Sequence, residues 1–316
     1  MMDPNINLDD AGITQPTRPP AGLDSFQPVQ VSARSVHSPQ PKRKRLWFWS
    51  LFVLFGFIFF LILVYFFGPF RTNVLVLGID GGLGRGELGR TDTMILTTIS
   101  PLKPYVGLLS IPRDLWVPIE GVGENRINTA YFFAEAQKPG SGPQAAIRVV
   151  DQNFHVRAGY YLIVRMDGLL EFIDAMGGVD IQLSEASAGY ATGTHHLDGT
   201  AALVFARSRA GSDDFSRMGQ GQILIKAVLQ RMLQPAVWPK LPDILKATQA
   251  VVDMNIPVWQ WPRLGLALLR VGQENIDARS IMREMVRPFT TNQGAQVLEP
   301  NWEVINVLRD EMFGKR

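Results

Sequence analysis

The chain has 316 residues, of which 46% are hydrophobic, and its formal net charge at pH 7 is only +2. This length accommodates one large or two ordinary domains, and the apolar content is enough for a full core. The near-neutral charge gives no indication of nucleic acid as a partner. The chain has no cysteine and only four histidines. Disulfides, thiolate metal sites and thiol nucleophiles are therefore excluded, and a histidine-built zinc site is not expected.

Residues 1–45 are predicted to form a disordered cytoplasmic tail. The stretch is rich in Pro, Ser, Gln and Asp and poor in aliphatic residues, a composition that cannot bury a core. It ends in the basic run KRKR at 42–45. Such a run can bind nucleic acid, but its position next to an apolar segment is better explained by membrane topology and anionic lipid.

Residues 46–68 are predicted to form one transmembrane helix. The segment is dense in Phe, Leu, Ile and Val and carries no charge, and at about 1.5 Å per residue it covers a hydrocarbon core of roughly 30 Å. A buried core helix is the alternative, but such helices rarely run this long without a polar face. A cleaved signal peptide is disfavoured because no small-residue cleavage site follows. The basic run lies before the helix, so the N-terminus is predicted inside and the following domain outside the cytoplasmic membrane.

Beyond Arg71 the pattern alternates between strands and helices, which predicts an α/β fold with a central mixed sheet flanked by helices. A helix N-capped by Asp167 and ended by Gly177-Gly178 is expected, and a helical stripe is formed by Ile225, Val228, Leu229 and Met232. Strands are predicted at 73–79, 91–99, 105–111, 160–166 and 179–183, and a further helix at 144–154.

Two aspartates stand at the ends of adjacent predicted strands, Asp80 after the first and Asp92 at the start of the second. Together they offer hard oxygen ligands that suit Mg²⁺, although spacing alone favours ordinary solvated aspartates. The loop between them contains G-x-G-x-x-G at 84–89. A second strand follows this loop instead of the helix that a dinucleotide site needs, so a plain glycine loop is favoured.

Several arginines stand where regular elements are predicted to end. Arg113 follows a strand, and Arg207 and Arg209 follow an apolar helical stretch. The planar guanidinium fork suits phosphate, although ordinary surface arginines would explain any one of them. Residues two apart on a helix diverge by about 200°, so Arg207 and Arg209 can share a ligand only if the helix ends there. Convergence of arginines without a ligand would be repulsive, which predicts neutral or slightly stabilising alanine substitutions.

An ordered set of segments lies between about Asn73 and Val228. The set comprises LVLGID, RTDTMILTTI, VGLLSIPRDLWVPIEG, NRINTAYFF, MDGLLEFIDAMGGVDIQL, HLDGTAALVFARSR and DDFSRMGQGQILIKAV. Together these segments, of which SIPRD and GGVD are the most distinctive parts, resemble the LytR-CpsA-Psr (LCP) family of bacterial cell-envelope phosphotransferases.

The resemblance implies transfer of a glycopolymer from a polyprenyl-pyrophosphate carrier to peptidoglycan through a phosphodiester bond. It assigns Mg²⁺ to Asp80 and Asp92, and a lipid tail of this kind needs a long apolar pocket. Asp214 is the candidate general base, although an N-cap role fits it equally; Arg113 and Arg209 complete the catalytic set. The expected pyrophosphate-binding residues are Arg90, Arg113, Arg126, Arg207, Arg209, Arg217 and Gln220.

One departure from the family pattern concerns the residue about seven positions after Asp214. The family usually has Arg-Gln here, whereas this chain has Gly221 between Gln220 and Gln222. The departure supports a non-catalytic, membrane-tethered binder of the lipid-linked glycan as an alternative, and a pyrophosphatase of the same carrier is a weaker one. A transcriptional regulator fits poorly.

The expected domains are an extracytoplasmic catalytic domain at 71–235 and a C-terminal extension at 236–316, packed on it as helices and a strand.

Overall fold

The computed structural model describes residues 43–79, 91–208, 214–272 and 275–314. The chain divides into two compact units, Met1–Val53 and Leu54–Arg316. The described part of the first unit is the beginning of one long helix, and the second unit holds the rest of that helix and every other described element. The predicted tail before residue 43 and the glycine loop at 84–89 lie outside the described residues.

The first helix, α1 (Arg43–Phe67), contains the predicted membrane segment. Its stretch Trp47–Phe67 has a mean hydropathy of 2.8 and is not buried against other parts of the chain. It is long and apolar enough to cross a membrane, and no other helix among the described residues meets that criterion. The helix begins within the basic run, before the predicted boundary, because Lys and Arg are good helix formers.

A six-stranded mixed sheet forms the centre of the second unit, in the order β10-β3-β2-β1-β6-β9. Strands β1 and β6 are parallel, as are β3 and β10, and the other neighbours are antiparallel. The hairpins β4–β5, β7–β8 and β11–β12 stand apart from this sheet. The described strands are β1 (Thr72–Ile79), β2 (Thr91–Ser100), β3 (Tyr105–Ile111), β4 (Trp116–Ile119), β5 (Gly123–Arg126), β6 (Tyr160–Arg165), β7 (Val179–Leu183), β8 (Gly193–Leu197), β9 (Val252–Met254), β10 (Ile276–Ser280), β11 (Val286–Thr290) and β12 (Gln296–Pro300).

Helices cover both faces of the sheet, so β1, β2 and β3 are buried along nearly their whole length. Leu75 and Leu77 face a core shared with α2, α3 and α9, whereas Val74 and Val76 face a core shared with α8. A third core joins α4, α5, α6 and α7 to the hairpin β7–β8. The helices after α1 are α2 (Thr129–Gln137), α3 (Gly142–Phe154), α4 (Met166–Met176), α5 (Gly199–Arg207), α6 (Asp214–Met232), α7 (Leu241–Val251), α8 (Trp261–Val271) and α9 (Trp302–Phe313), with 3-10 turns at Pro235–Lys240, Val258–Gln260 and Arg283–Met285.

The predicted fold class is confirmed, and three local expectations change. Helix α4 begins at Met166, so Asp167 lies in its first turn and is not the N-cap; Gly177 does end it, with a φ of 78°. Strand β7 is found where expected, but it pairs with β8 outside the central sheet. The described part of residues 236–316 contributes four strands and not one, and two of them, β9 and β10, are the outer strands of the central sheet.

The predicted apolar stripe of α6 is only partly correct. Among its described apolar residues Leu224 and Ala227 are buried most deeply, whereas Met232 is exposed. Val228 packs in the core with α4 and α5, while Ile225 and Leu229 pack in the core with α8. The helix therefore lies between two cores and buries two of its faces. The single apolar face predicted from the sequence accounts for the buried residues only in part.

Candidate functional site

Four strands of the sheet end, and two begin, at the same edge, which is called here the site edge. At this edge Ile79 at the end of β1 pairs with Thr91 at the start of β2 and with Arg165 at the end of β6. Strand β3 ends there at Ile111, and β10 ends beside it at Ser280. In open α/β sheets the loops outside the carboxyl ends of strands commonly form ligand sites, and Asp80 directly follows Ile79 in the sequence.

Two arginines and two aspartates form an ion-pair cluster at the site edge. Arg113 Nη1 donates to Asp92 Oδ1 at 2.6 Å, and Arg113 Nε donates to Asp114 Oδ2 at 3.3 Å. Arg126 Nε lies 3.0 Å from Asp114 Oδ1, close enough for an ion pair but without hydrogen-bond geometry. In the same guanidinium group, Arg126 Nη2 donates to the carbonyl of Gln296 at 2.9 Å. Asp114 therefore holds both guanidinium groups, and its side chain is only 15% exposed.

Backbone hydrogen bonds explain why residues so far apart in sequence meet here. After β3 the chain turns, with Leu115 N donating to Pro112 O at 3.2 Å. The strand that carries Arg126 then returns alongside, with Ile127 N bonded to Leu115 O at 2.8 Å and Asn128 N bonded to Arg113 O at 3.3 Å. The SIPRD and RIN segments thus lie next to each other, and the pairing fixes the position of both arginines.

Asn128 fixes the start of β2 beside this cluster. Its Nδ2 donates to the carbonyl of Thr91 at 3.3 Å, and the Thr91 hydroxyl donates to the carbonyl of Asn128 at 3.4 Å. Both side chains are buried. Because Asp92 follows Thr91 directly, this reciprocal contact determines where the Asp92 carboxylate leaves the strand.

The charge state of Arg113 is secured by its neighbours. Burial lowers the pKa of this guanidinium, but hydrogen bonds and attraction from Asp92 and Asp114 outweigh burial, and the net pKa is raised. The predicted uncompensated repulsion among arginines is therefore wrong for Arg113, because two carboxylates face it. Its replacement by alanine is expected to destabilise the fold, not to leave it neutral.

Helix α5 ends at Arg207, and Ser208 after it is extended, with a ψ of 133°. Arg207 and Arg209 could share a ligand only if the helix ended between them, and α5 does end at Arg207. Arg209 itself lies outside the described residues. Gln220 on α6 is buried, and with its amide nitrogen turned toward α5 it donates to Ser208 O at 3.2 Å and Phe205 O at 3.3 Å. This contact ties the end of α5 to α6. A contact of Gln220 with pyrophosphate stays a prediction.

The Gly221 departure does not interrupt α6, which runs through both glycines. Gly221 faces Thr93 of β2, and a Cβ added there would meet that side chain at an ordinary 3.7 Å. Its neighbour Gln222 donates to the carbonyls of Leu108 at 3.2 Å and Arg279 at 2.6 Å. Gln222 thus ties α6 to β3 and β10 instead of replacing the missing polar side chain.

Of the residues predicted for the site, the structure brings together Arg113, Arg126 and Asp92. Arg207 closes α5 and Arg217 lies in the first turn of α6; their convergence on the same ligand stays a prediction. Sequence reasoning missed Asp114 and Asn128, although both stand inside the SIPRD and NRINTAYFF segments. Asp80, Arg90 and Arg209 lie outside the described residues, as does the side chain of Asp214.

The donor set at the site edge suits a magnesium ion as far as it is described. Asp92 supplies a carboxylate that is 41% exposed, and carboxylate oxygen is the type of ligand that Mg²⁺ prefers. Among the described residues, no group of three or more His, Asp or Glu is placed to hold a metal. An ion at Asp92 would thus take several ligands from water and substrate, as Mg²⁺ commonly does.

The chain belongs to the LytR_cpsA_psr family, whose model matches residues 70–313. The match includes the C-terminal strands β9–β12 and helix α9, and it covers well over half of the sequence.

Curated relatives and solved structures agree with this assignment. The chain is 36% identical over 180 residues to the Oceanobacillus iheyensis protein named polyisoprenyl-teichoic acid–peptidoglycan teichoic acid transferase TagU, a match that covers 55% of each protein. It spans only about half of that relative's length. The crystal structure of Bacillus subtilis TagV superposes with a TM-score of 0.64 at 24% identity, covering 78% of this chain and 99% of TagV. TagT bound to LIIa-WTA gives a TM-score of 0.61 at 19% identity, over 77% of this chain and 89% of TagT.

Proposed function

We propose that this chain is a membrane-tethered phosphotransferase. It takes a glycopolymer from a polyprenyl-pyrophosphate carrier and joins it to peptidoglycan through a phosphodiester bond, with Mg²⁺ as cofactor. The names of its TagU relatives support a polyisoprenyl-linked glycopolymer as the substrate class. The basic run at 42–45 lies before α1, and this position supports an N-terminus inside the cytoplasmic membrane and a sheet domain outside it.

The observation that carries the proposal is the cluster of Arg113, Arg126, Asp92 and Asp114 at the site edge. A pyrophosphate carries several negative charges, and two fixed guanidinium groups next to a metal-binding carboxylate match that charge distribution. Asp114 and the carbonyl of Gln296 hold the guanidinium groups before substrate arrives. Little reorganisation is then needed when the anion binds.

In the reaction, a sugar hydroxyl of peptidoglycan attacks the phosphorus that carries the glycopolymer, and the polyprenyl phosphate leaves. Mg²⁺ held by Asp80 and Asp92 would neutralise charge on the pyrophosphate oxygens. Arg113 and Arg126 orient the reacting phosphate, and Arg90, Arg207, Arg209 and Arg217 are the further proposed contacts. Asp214, the first residue of α6, is the proposed acceptor of the hydroxyl proton.

The sheet places the site edge away from the end of α1. Strand β1 begins at Thr72, shortly after α1 ends at Phe67, and it reaches the site edge at Ile79. At about 3.3 Å per residue the strand spans roughly 25 Å. A carrier whose lipid tail starts in the membrane therefore has to be covered along the length of the sheet, and this requirement supports an apolar passage between the sheet and its helices.

A non-catalytic binder is the second candidate, because Gly221 stands where the family usually has a polar side chain. Gln222 is bonded to two strands and does not take the place of the missing polar side chain, whereas a contact of Gln220 with the pyrophosphate stays a prediction. A binder would retain the lipid-linked glycan and release no product.

Incubation of the full chain in liposomes with lipid-linked glycopolymer, Mg²⁺ and peptidoglycan separates these functions. The transferase forms glycopolymer-linked peptidoglycan and polyprenyl phosphate, and it forms neither in EDTA. Bound substrate without product would establish the binder. Release of carrier phosphate without acceptor and without linked product would establish a pyrophosphatase and contradict the transferase.

A further inference from the structure

The 3-10 turn Val258–Gln260 and the helix α8 that follows it lie against the last turn of α1. The hydroxyl of Tyr65 donates to the carbonyl of Trp259. Further along α8, the guanidinium of Arg270 lies 4.9 Å from the centroid of the Phe67 ring. Between these two contacts, Arg263 donates a hydrogen bond to the carbonyl of Phe70, in the segment after α1. The position of the turn relative to the end of α1 is thus fixed by side chains along one face of α8.

Large apolar side chains at this end of the domain are exposed to solvent in the isolated chain. Val258 is 72% exposed and Trp259 is 60% exposed, and Trp261 is also exposed. Leu102, in the turn between β2 and β3, is exposed as well. Arg270 connects this turn to the same region, because its Nη1 donates to the carbonyl of Pro101 at 2.5 Å.

The contact between Tyr65 and Trp259 sets the depth of these side chains relative to a membrane. Tyr65 lies two residues before the end of α1, which is about 3 Å along the helix axis. If α1 spans the bilayer, the backbone of Trp259 lies beside the last membrane turn, at the level of the lipid headgroups. Tryptophan is enriched at that level because its ring is both apolar and able to donate a hydrogen bond.

We propose that Val258, Trp259, Trp261 and Leu102 form a second membrane contact, which inserts into the interfacial region of the leaflet where α1 ends. The occupant of this surface is phospholipid. The exposed cations Lys103 and Arg270 flank the apolar side chains, an arrangement that complements anionic headgroups. The surface is also continuous with the apolar helix α1, whereas a protein partner would have to enter the headgroup layer to reach it.

The inference rests on α1 spanning the membrane and not on the proposed transfer reaction. Its consequence is a fixed orientation of the sheet. With α1 and the turn Val258–Gln260 both held at the interface, the domain is attached at two places and its site edge points away from the bilayer.

The absence of native cysteine allows a direct test by single-cysteine labelling. The variant Val258→Cys of the full chain is labelled with an environment-sensitive fluorophore in liposomes of phosphatidylethanolamine and phosphatidylglycerol. Quenching by nitroxide-bearing lipid is compared with quenching by aqueous iodide. Val204→Cys is the matched control, because Val204 is 60% exposed near the end of α5, which Gln220 ties to α6 next to the start of β2. Phe55→Cys in α1 is the positive control for insertion.

The label at residue 258 is expected to be quenched by lipid several-fold more than the label at residue 204, and to be protected from iodide. Iodide quenching equal to that at residue 204 would overturn the proposal. Protection from both quenchers would also overturn it, because the surface would then be covered by protein, such as a second copy of the chain. Absence of lipid quenching at residue 55 would remove the premise that α1 is inserted.

Discussion

Asp114 is shared by two arginines, and a double-mutant cycle measures how strongly it holds one of them. The cycle combines Asp114→Asn with Arg126→Gln, whose charged atoms are 3.0 Å apart with side chains 15% and 31% exposed. Fully exposed pairs contribute about 0.2–1 kcal/mol, and breaking a fully buried pair costs about 3–5 kcal/mol. For this intermediate burial we expect a coupling energy of about 1–2 kcal/mol.

The assay is thermal unfolding of the full chain in detergent, followed by near-ultraviolet circular dichroism. A change of 1 kcal/mol shifts the melting temperature of a domain of this size by about 2–4 °C. Asp114→Asn alone is expected to lower it by about 4–8 °C, because both Arg113 and Arg126 lose a carboxylate partner. The matched control is the pair Arg287 and Glu299 on the β11–β12 hairpin, with side chains 78% and 49% exposed.

The reasoning predicts a coupling energy at Asp114 and Arg126 clearly above that of the control pair, for which we expect at most about 0.5 kcal/mol. Equal coupling in the two cycles would show that the cluster at the site edge is ordinary surface charge. The claim that Asp114 positions the arginines would then be wrong.

Three further predictions follow from single positions. Gly219→Ala and Gly221→Ala should each raise the free energy of unfolding by about 0.5–1 kcal/mol, because an added Cβ meets nothing within 4 Å at the first and only the Thr93 side chain at the second; a fall in the melting temperature of either variant would contradict this. Asp92→Ala should lower stability by less than about 1 kcal/mol, since its ion pair is partly exposed, yet should abolish the Mg²⁺ dependence of transfer; unchanged Mg²⁺ activation would remove Asp92 from the metal site. Burial, with help from nearby carboxylates, raises the pKa of Tyr131 to about 12. Above pH about 10 the unfolded state loses this proton while the folded state keeps it, so wild-type stability should fall between pH about 10 and 12. Tyr131→Phe should lack this part of the loss, and parallel curves of melting temperature against pH would refute the assignment.

The proximity of Asp92 and Arg113 is partly predictable from the amino-acid sequence. Strands β2 and β3 are rich in β-branched and aliphatic residues and are joined by a short turn predicted at Ser100 to Pro104, so they are expected to pair as a hairpin. Continuing the observed pairing Met94↔Ile111 by two residues on each strand places Asp92 opposite Arg113. Counting residues outward from the predicted turn instead pairs Ile99 with Tyr105 and places Asp92 opposite Pro112, so the sequence brings Asp92 to within one residue of Arg113 but does not give the exact register.

The position of Arg126 could not be derived in this way. It depends on the β4–β5 hairpin returning beside the turn after β3, and on the carbonyl of Gln296, which comes from β12. These are long-range contacts between short strands, whose sequences carry little alternation of apolar and polar residues. Only the family resemblance indicated that Arg126 belonged to the site.

The strand β7 shows a related limit. Its alternating sequence VDIQL predicts a strand with one buried face, and the structure confirms that alternation. Alternation records which side chains are buried but not which strand is the partner. The partner β8, with the sequence GTHHL, has few apolar residues, and so the separate hairpin was not predicted.

The most direct test of the proposed function replaces Arg113 and measures formation of glycopolymer-linked peptidoglycan by the full chain in liposomes. Loss of one preorganised donor to a reacting anion typically costs about 10²–10³ in rate, and we expect a loss of that order for Arg113→Ala. Arg113→Lys should restore part of it, since the charge returns without the planar fork, and Arg287→Ala should transfer at the wild-type rate. A folded Arg113→Ala variant that transfers as fast as wild type would contradict the assignment of the site edge as the place of reaction.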